Sequence, residues 1–178
     1  MQALLDAIAQ AQPGEQSERF FHGRGGLYPG CEHLSLDWYA PVWLLTSFAP
    51  LEEAALTAVG QALAARMQAL GQPLNWVVQW RQVGTARSET RLIAGQVPEP
   101  HTVQEQGARY RVHVLRGQNH GLFLDMACGR QWLREQGTGQ RVLNLFAYTC
   151  AFSVAALQGG AREVVNIDMA AGALAIGQ

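Results

Sequence analysis

Lysine is missing from this chain: all 13 basic residues are arginine. Against 14 acidic residues the formal net charge is −1, so charge alone imposes no broad nucleic-acid footprint. Arginine suits bidentate phosphate or base contacts, but a composition bias would look the same. Cysteine is scarce too. Cys31, Cys128 and Cys150 are scattered and form no C-x-x-C, which argues against a disulfide frame or a zinc site and for reduced thiols in the cytoplasm. The histidines have no ligand spacing, so no metal is expected. No run is apolar and long enough to span a bilayer. The N-terminal "MQALLDAIAQ" carries Asp6 where a signal peptide would be basic and reads as an amphipathic helix. Repeats and low-complexity tracts are absent. What is left, 48% hydrophobic and 15% charged, is a globular chain, long enough for one large domain or for one domain and part of another.

After the first helix, glycine and proline punctuate "FFHGRGGLYPG". This resembles a phosphate loop only superficially, because a strand-like run and no helix follows. A turn-rich surface loop is the plainer reading, with His22 and Arg24 as candidate RNA contacts. "LSLDW" alternates as a strand, Pro41 breaks it, and "VWLLTSF" reads as a second. "PLEEAALTAVGQALAARMQALG" has proline and glutamates at its start and glycine past its end, the signature of a helix. "LNWVVQWRQV" and "SETRLIAGQV" read as strands around a polar turn. "ARYRVHVLRG" alternates, and "HGLFLDM" is expected to return against it as a hairpin after "GQNH". Trp38, Trp43, Trp76 and Trp80 could stack bases, but core packing is the expectation for most of them. Arg109 and Arg111 read as a solvent face, phosphate contact being the minority reading.

The character changes near Gly129. A short helix and glycine turn lead to a strand over 141–146, a helix over 152–158, a Gly159-Gly160 turn and a strand over 163–168. A further helix begins near Ala170. This is β-α-β followed by α, the opening of a doubly wound parallel sheet. The fold class expected is α/β: a small α+β domain of ββαββ-like order over 1–116, then a hairpin and the first βαβ unit of a Rossmann-like domain over 117–178, cut short.

Ligands of such sheets sit beyond the carboxyl ends of the strands. Here the joint "VLNLFAYTCAFSV" has Phe146, Tyr148 and Cys150 where a dinucleotide loop carries glycine. Those glycines let backbone amides crowd a pyrophosphate. A ligand without phosphate makes no such demand, and S-adenosylmethionine is one. Asp168, at the end of "VVNID", has the residue type and distance to accept from both ribose hydroxyls. The rival reading makes Asp168 an N-cap for the next helix. Cys150 reads as a buried, inert thiol and not as a nucleophile.

"GLFLDM…GRQW…VLNLFAYTCAFSVAALQGGAREVVNIDM", from Gly121 to Met169, resembles a family of class I S-adenosylmethionine-dependent methyltransferases. That family includes large-subunit ribosomal-RNA enzymes acting at cytosine C5 and guanine N7. The upstream "FHGRGG…PG…DWY" is similar, less specifically, to their substrate-side domain. The resemblance implies that Asn144, Phe146, Tyr148 and Thr149 line the methionyl and ribose side of the cofactor, that Asp168 holds the ribose hydroxyls, and that Met169 lies near the adenine. It implies further that Phe123 and Asp125 approach from the hairpin and that Arg130 faces the cofactor carboxylate. Many relatives have glycine where this chain has Cys150, and a side chain there narrows the turn. The family's "D-P-P" catalytic turn would fall beyond Gln178, so no catalytic residue is assigned and the fragment itself is expected to be inactive. The expectation is therefore an RNA-directed, cytoplasmic methyltransferase using S-adenosyl-L-methionine, with ribosomal RNA as partner, no membrane, and a homodimer compatible with the sequence. Two rivals stay open: a nicotinamide-dependent Rossmann enzyme, and a truncated cofactor- or RNA-binding module without activity.

Overall fold

The computed structural model describes residues 1–81 and 88–177. Two compact units divide the chain, Met1–Glu99 with Val114–Gln118, and Pro100–His113 with Asn119–Gln178.

The first unit opens with α1 (Gln2–Gln10) and β1 (Glu18–His22). There follow β2 (Leu34–Tyr39), β3 (Val42–Ser47), α2 (Glu53–Ala69), β4 (Trp76–Arg81) and β5 (Ser88–Ala94). The strands lie in sequence order in one five-stranded sheet. All neighbours are antiparallel except β3 and β4, which run parallel because α2 carries the chain back between them. Every residue of β2 and β3 is buried, and alternation decides which of them join the helix-side core. Leu36 stands opposite Leu45 and Trp38 opposite Trp43, and Trp43 in turn faces Trp76. Leu4 and Ile8 of α1 and Val59, Leu63 and Met67 of α2 complete this core; the four-residue spacing puts each set on one helix face. Trp38, Trp43 and Trp76 are buried there, and the Trp43 indole N–H donates to Met67 Sδ at 3.3 Å. Trp80 is only half-buried, with the Arg91 guanidinium 5.3 Å from its ring centre. The strand β1, not anticipated from the sequence, carries a bulge between Arg19 and Phe21 that breaks its alternation. The polar turn expected between β4 and β5 falls at 82–87, outside the described residues.

The second unit starts with the antiparallel pair β6 (His101–Glu105) and β7 (Ala108–Val112). Gln106 and Gly107 between them both have positive φ, 48° and 80°, which matches the twist of a two-residue hairpin. The expected hairpin of 108–117 with 120–126 does not form. Here the chain does fold back, His113 N–H donating to His120 O at 3.0 Å, but Gly121 at φ +98° and a 3-10 turn at Leu124–Met126 end the extension. The strand β7 pairs instead with the segment before it. Next come α3 (Ala127–Gln136), β8 (Arg141–Leu145), α4 (Ala151–Gln158), β9 (Glu163–Ile167) and the short α5 (Ala171–Leu174). The strands β8 and β9 pair in parallel, residue 141 opposite 163 through 145 opposite 167, with α4 as the crossover. One face of this pair turns Asn144 toward Ser153 of α4; Leu143, Leu145, Val165 and Ile167 are 45–59% exposed. The architecture is mixed α/β.

Candidate functional site

In-register pairing of β8 and β9 brings their carboxyl ends together, Leu145 opposite Ile167. The loop that follows β8 is pinned to the end of β9 by its backbone. Ala147 N–H donates to Ile167 O at 3.1 Å and Tyr148 N–H to Asp168 Oδ2 at 2.7 Å. Cys150 N–H turns back to Ala147 O at 2.7 Å, and α4 starts at the next residue.

Three alternate loop residues hold left-handed backbone: Phe146 at φ +55°, Tyr148 at +48° and Cys150 at +61°. These are the positions where a dinucleotide loop would carry glycine. The backbone demand for glycine is thus intact, and bulky residues meet it at about 1–2 kcal/mol each. What holds Tyr148 and Cys150 there is visible. Tyr148 is fixed by Asp168 and by its ring, 5.4 Å from that of Phe123. Cys150 is buried, and its backbone carbonyl accepts from Val154 N–H at 3.1 Å. Thr149 Oγ1 donates to Gly121 O, tying the loop to the segment before α3.

A cavity of about 460 Å³ lies beside this loop, within the size range of small-molecule sites. Phe123, Arg130, Asn144, Phe146, Tyr148 and Thr149, each expected at the site, all line it. Asp168 is not in its wall but reaches the loop through Tyr148 N–H. Met169 follows, 99% exposed, and Phe146 on the neighbouring strand end is 87% exposed. Asp125 sits on the exposed side of the 3-10 turn, outside the cavity wall.

Hydrogen bonding changes how several of these residues read. Asp168 takes backbone donors on both oxygens: Oδ1 accepts Ala170 N–H at 2.8 Å, just before α5, while Oδ2 accepts Tyr148 N–H and holds the loop. These donors, Ala170 first and Tyr148 second, hold its carboxyl below the usual carboxylate range. Asn144 Nδ2 donates to Ser153 Oγ at 2.9 Å and Asn166 Oδ1 at 3.1 Å, so its amide ties β8 to α4 and β9. Arg130 is buried, with Nε and Nη2 donating to Glu105 Oε1 and Oε2 at 2.7 and 2.6 Å. Burial, and after it Asp168, pushes the Cys150 thiol up, which leaves it protonated and unreactive at neutral pH.

Glu105, Ser153 and Asn166 were not singled out from the sequence. Glu105 had a signal: in "HTVQE" it takes the same alternating face as Val103, a carboxylate on the apolar side, and such a charge needs a buried partner. That the partner is Arg130, 25 residues on, is a tertiary fact with no local trace.

Among the described residues no helix is long and apolar enough to cross a membrane. Residues 18–178 match the profile of a family described as S-adenosylmethionine-dependent methyltransferase. Ribosomal RNA large subunit methyltransferase I of Aeromonas salmonicida is 39% identical over 89 residues, 49% of this chain and 22% of that protein. Ribosomal RNA large subunit methyltransferase K/L of Pseudomonas savastanoi pv. phaseolicola is 41% identical over 111 residues, 61% of this chain and 14% of the relative. The matches thus span less than a quarter of these curated relatives. In three dimensions the chain superposes on a candidate SAM-dependent methyltransferase from Streptococcus mutans with a TM-score of 0.73 at 24% identity, covering 99% of this chain and 47% of that one. That likeness is one of fold.

Proposed function

Because the chain belongs to the S-adenosylmethionine-dependent methyltransferase family, we propose that its second unit binds S-adenosyl-L-methionine at the joined ends of β8 and β9 and that the whole protein methylates RNA, with ribosomal RNA as substrate class. The observation that carries the cofactor reading is the Asp168 carboxylate, fixed at the tip of β9 by Tyr148 N–H beside a 460 Å³ cavity. A carboxylate has about four lone-pair sites; Tyr148 and Ala170 N–H take one on each oxygen, with Met169 N–H a weaker donor. The others are left for ribose hydroxyls. Phe146 and Met169, both projecting from neighbouring strand ends, flank the adenine; Tyr148, Thr149 and Phe123 wall the rest. The Arg130 pair with Glu105 uses Nε and Nη2, and Nη1 faces the amino-acid carboxylate. Asn144 acts by positioning, and Asp125 approaches from the turn before α3. The cofactor supplies a methyl group on a sulfonium, already a good leaving group; the residues of this chain orient it. No catalytic residue is assigned within the chain. To the first unit we give the RNA side, and to the protein a cytoplasmic setting that suits its three free cysteines.

A nicotinamide cofactor fits poorly. The amides that would face a pyrophosphate are taken within the protein: Ala147 by Ile167 O, Tyr148 by Asp168, Cys150 by Ala147 O. Calorimetric titration of the chain with S-adenosylmethionine, S-adenosylhomocysteine and NAD tests this. Binding of the first two and no heat with NAD is expected; a preference for NAD ends the cofactor reading. Methyl transfer from labelled cofactor into ribosomal RNA by the complete protein tests the substrate class, and transfer into protein alone would refute it.

A further inference from the structure

The loop "HGRGG" left unused by the cofactor site is built with care. Gly23 has no room for a side chain: a Cβ there would lie 1.8 Å from Cys31 O. Gly23–Gly25 forms a 3-10 turn closed by Gly26 at φ +74°. This turn sets the guanidinium of the exposed Arg24 4.0 Å from the centre of the Phe48 ring. A second guanidinium, that of Arg81, lies 5.5 Å from the same ring centre. Arg81 is oriented by its neighbours, Nε donating to Gln79 Oε1 at 2.6 Å and Nη2 to Gln118 O. Gln79 is itself fully buried and donates to Gly117 O at 2.9 Å. Two like charges are therefore gathered on one ring, and the carboxylate whose charge reaches Arg81 is that of Asp37. The neighbouring Asp37 is engaged in a two-pronged pair with Arg19, at 2.7 and 3.0 Å. Among the described residues neither Arg24 nor Arg81 forms an ion pair. Burial first, opposed by Tyr39 and reinforced by the charge of Arg24, holds the Arg81 guanidinium below its ordinary value. Concentrating positive charge against that cost suits an anion.

We propose that Arg24, Arg81 and Phe48 form a cradle on the first unit for single-stranded RNA, the two guanidiniums taking a backbone phosphate and the outer face of Arg24 extending its stack on Phe48 to an adjacent base. This rests on the RNA reading above. An acidic peptide would use the charges but has no base to continue the stack.

The test is fluorescence anisotropy of a labelled single-stranded RNA 20-mer with the full chain across a salt series, alongside calorimetry with S-adenosylhomocysteine. Arg24→Gln is expected to weaken RNA binding on the order of tenfold and to flatten the log-affinity against log-salt slope by about 0.7, the value of one phosphate contact on a single strand. Arg24→Lys should keep the slope and lose affinity, since the charge stays and the stack goes. Phe48→Leu should do the same. Arg162→Gln, an equal charge change on the other unit, should leave RNA binding near wild type. An unchanged slope in Arg24→Gln overturns the cradle, as does an equal loss in Arg162→Gln or equal competition by polyglutamate of matched charge. If the wild type binds S-adenosylhomocysteine but no RNA, the cradle falls and the cofactor site stands. RNA binding with the expected variant pattern but no nucleoside binding supports the cradle and removes the cofactor reading.

Discussion

Asp168 and Phe146 show how much a single residue decides at this site. The Asp168 carboxyl is held below its ordinary value by backbone donors, Ala170 first, Tyr148 second and Met169 last. Its contribution to loop order is therefore complete above about pH 4, the ordinary aspartate range, and is lost as pH falls through the lowered folded value. Amide exchange at Tyr148 and Ala170, followed by NMR from pH 6 downward, should stay protected to below pH 4 and then open. Asp168→Asn should keep the loop near its place while weakening S-adenosylhomocysteine on the order of tenfold or more, because a charged acceptor is lost; calorimetry reads this. Phe146 invites the opposite trade. It is exposed and at φ +55°, so Phe146→Gly should raise stability to urea by about 1 kcal/mol through relief of left-handed strain. The same change should loosen cofactor binding if the ring flanks the adenine. A variant both less stable and equally tight would contradict the strained-loop account.

Elements are where sequence and structure part company most instructively. The helix α2, the joint β8–α4–β9 and the strands β2 to β5 follow from local periodicity and from Pro, Glu and Gly at fixed positions, and these were legible. The strand β1 was not, since its bulge hides the alternation. Nor was β6, because the chain makes its hairpin at Gln106-Gly107, with a non-glycine residue at φ +48°, instead of at "GQNH". The site was legible as a place, at the strand ends, and illegible as a network. Nothing local says that Asn144 holds Ser153, or that the β6–β7 hairpin supplies Glu105 to Arg130 of α3. That buried pair gives an element-scale prediction. Glu105→Gln or Arg130→Met alone should cost about 3–5 kcal/mol by leaving an unpaired buried charge, whereas an apolar replacement of both should recover most of it. Urea denaturation of the singles and the double measures the coupling.

At the scale of the whole molecule, the two proposed sites fall in different compact units: the cavity assigned to the cofactor lies in one and the arginine cradle proposed for RNA in the other. Leu143, Leu145, Val165 and Ile167 add a third feature, an aliphatic stripe on the open face of the β8–β9 pair. A patch of this kind binds apolar dyes and invites association. Anilinonaphthalene sulfonate fluorescence should rise with the chain, and Leu143→Lys with Ile167→Lys should abolish most of the rise. The same pair has a second liability. Among the described residues β8 and β9 pair as strands only with each other, so each keeps an outer row of amides and carbonyls that can template another copy. Held at high concentration, this polypeptide should seed fibrils that stain with thioflavin T, growing by strand addition at those two borders.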